Sequence, residues 1–211
     1  TKVLFPLVTD EIMLIRAFGA AAFVLLHIIL CIGPLCRLNR MFLPLLYNRR
    51  HAGVTMAVLA LVHAVLVVAT YHAGSDMNPV LSIFRSSPIT PSITGVPFQP
   101  FGFFALFILL LMAATSHDFW LANLSAPVWK SLHMLVYVAY GLLVLHVTFG
   151  VLQTETGSVY VVAVAAGLVT VLGLHLAAAF RVAPADRDPV GGRRPGTAPA
   201  PTPARRPAQG G

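Results

Sequence analysis

Four histidines define the chemistry open to this chain. His51 and His63 stand twelve residues apart, and His133 and His146 thirteen apart. Each pair lies in a stretch apolar enough for a lipid bilayer, "RRHAGVTMAVLALVH" and "LHMLVYVAYGLLVLH". An imidazole inside hydrocarbon is costly unless it is paired or ligating, and haem iron is held by axial histidines. At 1.5 Å per residue, such spacings separate two levels by about 18–21 Å along a helix. His51 and His133 open their helices beside Arg50 and Lys130, while His63 and His146 lie deeper. The four therefore fall into two levels, each with one histidine from each helix, as two axially ligated haems require. Twelve and thirteen residues rotate by about 120° and about 220°, so neither pair stacks on one face. On parallel helices these rotations are nearly mirror-related, so straight helices can turn all four inward. A helical bulge is the other solution.

The other imidazoles carry less. His27 and His175 are weaker alternatives for haem or quinone binding, and a bond to a backbone carbonyl is the simpler reading of each. His72 is expected to snorkel at a helix end, and His117 to sit in the turn "TSHDFW". Arg49 and Arg50 could pair with haem propionates or simply enforce topology. Gly53 and Gly141 could admit a porphyrin or serve helix packing. Cys31 and Cys36, in "CIGPLC", are spaced too widely for a C-x-x-C motif and read as apolar fillers. No residue is assigned a catalytic role.

The elements that must position these groups are all helices. Of the 211 residues, 57% are hydrophobic and 10% charged, which implies a polytopic membrane protein rather than a water-soluble domain. Five apolar runs approach the ~20 residues that cross a bilayer core. They are Ile12–Ile32, Val54–Tyr71, Phe101–Ala114, Val128–Leu152 and Val159–Phe180. The segment "MFLPLLY" is too short to span and is expected at the interface. Lys and Arg exceed Asp and Glu by 14 to 7, and the excess sits beside the apolar runs. That distribution fits topology and anionic lipid rather than nucleic acid. Arg37, Arg40, Arg49, Arg50, Lys130 and Arg181 gather on one side, which predicts an outside N-terminus and a cytoplasmic C-terminus. The expected organisation is an all-α transmembrane bundle over residues 1–183, with a disordered basic Pro/Gly/Ala-rich cytoplasmic tail over 184–211.

"RRHAGVTMAVLALVH", "LLLMAATS" and "WKSLHMLVYVAYGLLVLH" resemble the ferric-reductase-like transmembrane domain family. Within it, the resemblance is nearest to the haem-binding membrane subunits of bacterial methionine sulfoxide reductase systems. It covers roughly residues 12–180. It implies b-type haem and transmembrane electron transfer, with His63, His133 and His146 matching the family's ligands. His51 matches the inner ligand of two-haem members only approximately, because its spacing is twelve. No G-x-G-x-x-G stretch is present, so electrons would come from quinol or a partner protein.

The sequence thus predicts a multi-pass b-type cytochrome of the bacterial inner membrane, with one or two haems and two expected. Its place would be as an electron-transfer subunit of an oxidoreductase, within a larger respiratory or photosynthetic-type complex. Two other readings stay open: a haem-poor anchor subunit of a redox complex, and a small transporter with histidine proton relays.

Overall fold

In lipid the backbone of an apolar run must satisfy its own polar groups, and the α-helix does so within one segment. The computed structural model of the chain describes residues 9–73, 77–84, 97–150, 152 and 158–182, and builds them from helices and turns. Helix α1 spans Asp10–Leu38, with Asp10 and Glu11 in its first turn and Arg37 in its last, as the helix dipole favours. It runs through Gly33 and Pro34 instead of ending at Ile32. An interior proline costs about 3 kcal/mol in water. Here Ile32 and Pro34 are buried, and packed helices tolerate such a break.

After a short 3-10 turn at Arg40–Phe42, α2 spans Leu43–Val67. The "MFLPLLY" segment is therefore continuous with α2, forming the turn and the start of the helix rather than a separate piece. Pro44 falls in the first turn, where no N–H is needed, so it starts the helix well before Val54. The helix ends in a π-helical turn at Val68–His72. His72 is buried there and hydrogen-bonded to the Ser82 hydroxyl at 2.6 Å, rather than snorkelling outward. Ser82 belongs to the short helix α3, Pro79–Ile83.

Further along the described residues come α4 (Gln99–Ala114), α5 (Asp118–Asn123), α6 (Ala126–Met134), α7 (Val136–Phe149) and α8 (Ser158–Val182). Among the described residues, four segments are long and apolar enough to cross a membrane: Asp10–Leu38, Arg40–His72, Ala126–Phe149 and Val159–Arg181. The expected third span, α4, is apolar but only 16 residues long. The fourth is not one smooth helix. It tightens at Leu135, whose N–H bonds back to Leu132 at 3.1 Å and separates α6 from α7. It ends at Phe149 rather than Leu152.

Contacts near the helix ends set their directions. Ile15 in early α1 meets His63 in late α2, and Phe98 before α4 meets His146 in late α7. At the other end Arg50 of α2 pairs with Asp118 of α5, and Trp129 of α6 bonds the Thr115 carbonyl after α4. Arg181 at the end of α8 donates to the carbonyl of Leu38 at the end of α1, at 2.9 Å. Helices α1, α4 and α8 thus run one way, and α2 and α6–α7 the other. The pairs α1–α2, α4–α7 and α1–α8 pack most extensively, while α2 and α7 make little direct contact. All five helices share one core, through Leu26, Leu30, Met56, Leu109, Ala139 and Val171. The tail over 184–211 lies outside the described residues.

Candidate functional site

The histidines separate by what holds their two ring nitrogens. His63 Nδ1 lies 2.8 Å from the carbonyl oxygen of Ile15 on α1. His146 Nδ1 lies 3.0 Å from the carbonyl of Phe98 at the start of α4. A carbonyl only accepts, so each Nδ1 carries the hydrogen and each Nε2 keeps its lone pair. Neither Nε2 has a hydrogen-bond partner among the described residues. The rings come from helices that are not packing neighbours, yet they lie within electrostatic reach of each other.

Glycines make room for both rings. A Cβ on Gly19 would sit 2.9 Å from His63 Nδ1, and one on Gly102 would sit 2.7 Å from His146 Nδ1. By contrast Gly53 and Gly141, the glycines suggested by the sequence, have no atom within 4 Å of the position a Cβ would take.

His27 and His175 are satisfied at both nitrogens. His27 Nδ1 donates to the Phe23 carbonyl at 2.8 Å, and its Nε2 accepts from the Tyr140 hydroxyl at 3.1 Å. His175 Nδ1 donates to Val171 at 2.8 Å, and its Nε2 accepts from Tyr137 at 3.1 Å. Both thus make the backbone-carbonyl bond of the simpler expected reading, and a tyrosine hydroxyl engages the second nitrogen of each.

His133 sits at the opposite level from His63 and His146. Its Nδ1 donates to the Trp129 carbonyl at 3.0 Å, and its ring stacks on the Trp129 indole with centroids 3.9 Å apart. Its Nε2 is 3.5 Å from the Ser116 hydroxyl, which already gives its hydrogen to the Met112 carbonyl at 2.7 Å. The His133 lone pair is thus weakly engaged. Arg49 lies within electrostatic reach of His133. His51 is exposed on α2, with no hydrogen bond to His133 or to any other described residue. Arg50 turns away to Asp118, where its hydrogen bond and charge hold the carboxyl below the usual carboxylate range. His117 caps α5, accepting from the Phe119 N–H at 3.2 Å.

Sequence reasoning missed the residues that fix these rings: Ile15, Phe98, Gly19, Gly102, Tyr137 and Tyr140. The four residues around His63 and His146 share one weak signal, since in both places a glycine follows the accepting carbonyl by four residues, and the two tyrosines carry none.

Taken together these features define a helical, multi-pass membrane bundle that fixes histidine lone pairs between non-adjacent helices. Residues 4–144 match the family model described as "Ferric reductase like transmembrane component", and the chain belongs to that family. It is 34% identical over 113 residues to "Protein-methionine-sulfoxide reductase heme-binding subunit MsrQ" of Deinococcus radiodurans, covering 54% of this chain. The match spans about half of that curated relative, 52% of its length. No solved structure matches the chain.

Proposed function

We propose that this chain is a membrane b-type cytochrome, an electron-transfer subunit that holds haem between α2 and α7. The observation that carries the reading is the pair His63 and His146. Each is fixed as the Nδ1–H tautomer by a carbonyl of another helix, and each keeps Nε2 for a metal. A histidine that ligates metal almost always donates its other ring N–H to a carbonyl or carboxylate, so the donor set fits haem iron. The family membership and the haem-binding relative support the same cofactor. Haem bound there would supply a one-electron couple. The residues of the chain orient the two imidazoles and, by tying each Nδ1–H to a carbonyl, leave each Nε2 lone pair available.

A second haem at the basic level would use His133, whose lone pair is weakly engaged, with His51 as its partner. The exposed position of His51 favours the one-haem version of the reading. Arg49, which lies within electrostatic reach of His133, fits a propionate there better than Arg50, which is committed to Asp118.

The parallel run of α1 and α8 supports five membrane crossings, because their C-terminal ends meet through Arg181 and Leu38. Two parallel helices with only α2 and α6–α7 between them need α4 as a further crossing. The basic residues around that end then put it in the cytoplasm of a bacterial inner membrane, with the N-terminus outside. The donor would be quinol or a cytoplasmic protein, and the acceptor a redox partner at the outer face. Pyridine haemochrome analysis of the purified chain tests the reading. One or two haems b per chain support it, and a haem-free chain that is fully folded contradicts it.

A further inference from the structure

Two of the rings in this bundle rest on the same backbone device. Ile15 and Gly19 on α1 receive His63, and Phe98 and Gly102 at the start of α4 receive His146. In each case the accepting carbonyl and the glycine are four residues apart, one helical turn. Helical Cβ atoms tilt toward the N-terminus, so a side chain at i+4 overhangs the carbonyl at i. Removing that Cβ opens the carbonyl to a lateral donor. The carbonyl has two lone pairs, so it can accept the ring N–H as well as its helical N–H. A methyl at Gly19 would lie 2.9 Å from His63 Nδ1 and 3.0 Å from its Cε1. A methyl at Gly102 would lie 2.7 Å from both of the corresponding His146 atoms. A methyl in either seat would make the ring shift from its place.

We propose that Ile15–Gly19 and Phe98–Gly102 are paired positioning seats that set the tautomer, orientation and basicity of the two haem-ligand histidines. This rests on the ligand reading of His63 and His146 above. A seated ring donates Nδ1–H to a carbonyl, which raises the basicity of its Nε2 and favours ferric iron. The device also explains why these glycines, and not Gly53 or Gly141, oppose the rings.

The test uses Gly19→Ala and Gly102→Ala in the full haem-loaded chain, with Gly173→Ala as the control, since a Cβ there meets nothing within 4 Å. Each seat variant is expected to retain haem about 10–100-fold less tightly. The haem that remains should have a raised midpoint potential and an altered low-spin EPR signature, while Gly173→Ala matches the wild type. A stability cycle guards against simple misfolding. In a His63→Ala background no ring meets the new methyl, and Ala favours a helix over Gly. Gly19→Ala should therefore lower Tm in the wild type and leave it unchanged or raised in the His63→Ala chain. Equal destabilisation in both backgrounds would make Gly19 a packing residue and overturn the proposal. So would wild-type potential and EPR in both seat variants while His63→Ala and His146→Ala lose haem. If those two histidine variants instead keep their haem unchanged, the ligand reading itself falls, and the seats with it.

Discussion

Tyr140→Phe separates structural histidines from ligating ones. Tyr140 is buried on α7, and its hydroxyl donates to His27 Nε2 on α1 at 3.1 Å. The substitution removes one oxygen and leaves the ring packing in place. His27 cannot swing toward α8 to find another partner, because the Gly167 backbone already lies against it. Its Nδ1 stays tied to the Phe23 carbonyl. The lone pair is thus orphaned where it stands. Orphaning a buried group costs about 1–3 kcal/mol in soluble proteins, whereas interhelical hydrogen bonds in membranes average about 0.6 and reach about 1.7 kcal/mol. His27 is only half-buried and its lost partner comes from another helix, so the membrane range governs. The expected loss is about 1 kcal/mol, roughly fivefold in the unfolding equilibrium. Unfolding in mixed micelles measures it, and a cycle with His27→Leu isolates the coupling. Haem content and spectrum should stay those of the wild type in both single variants. Loss of haem from a folded His27→Leu chain would refute the assignment of His27 as a structural link. A coupling indistinguishable from zero would refute the bond itself.

Other consequences are equally direct. The Asp118 carboxyl is held below its ordinary range by Arg50, so the pair stabilises the α2–α5 contact above the unfolded pKa of ~3.9. That contribution is lost as pH falls through the lower folded value; Trp120 fluorescence should report an acid transition that Asp118→Asn abolishes and salt weakens. In a background without Cys31 and Cys36, Asn123→Cys should react with a membrane-impermeant thiol reagent from the cytoplasmic side only, and Asn78→Cys from the outside only. The reversed pattern would invert the topology. Truncation after Val182 should leave the haem spectrum intact and slow reduction by the physiological donor, because the basic tail is expected to attract lipid or partner rather than build a core. Loss of haem on truncation would make the tail structural.

Much of this architecture was legible in the residues, for physical reasons that also mark where legibility ended. Long apolar runs fix the helices, since hydrocarbon leaves the backbone no alternative. Their ends were harder. Pro44 reads as a breaker in a short segment, yet proline in a first turn starts a helix. Pro34 reads as a stop, yet burial carries α1 past it to Leu38. The tightening at Leu135 has no glycine or proline to announce it. Histidine spacing brought out His63 and His146, because an imidazole deep in an apolar run demands an explanation. It also placed His27 and His175 below them, but could not show what engages those two rings. That depends on Tyr140 and Tyr137, whose hydroxyls arrive from another helix. Nor could spacing show that Arg50 would turn to Asp118, 68 residues away, and leave Arg49 nearer His133.

The central claim is that His63 and His146 hold one haem between them, and the reduced-minus-oxidised spectra of the two single variants and the double variant test it most directly. If both rings ligate the same iron, His63→Ala, His146→Ala and the double variant should each lose the same single low-spin haem, with no further loss on combining them. Full low-spin haem in either single variant, or a double variant that loses more haem than each single one, would contradict the account.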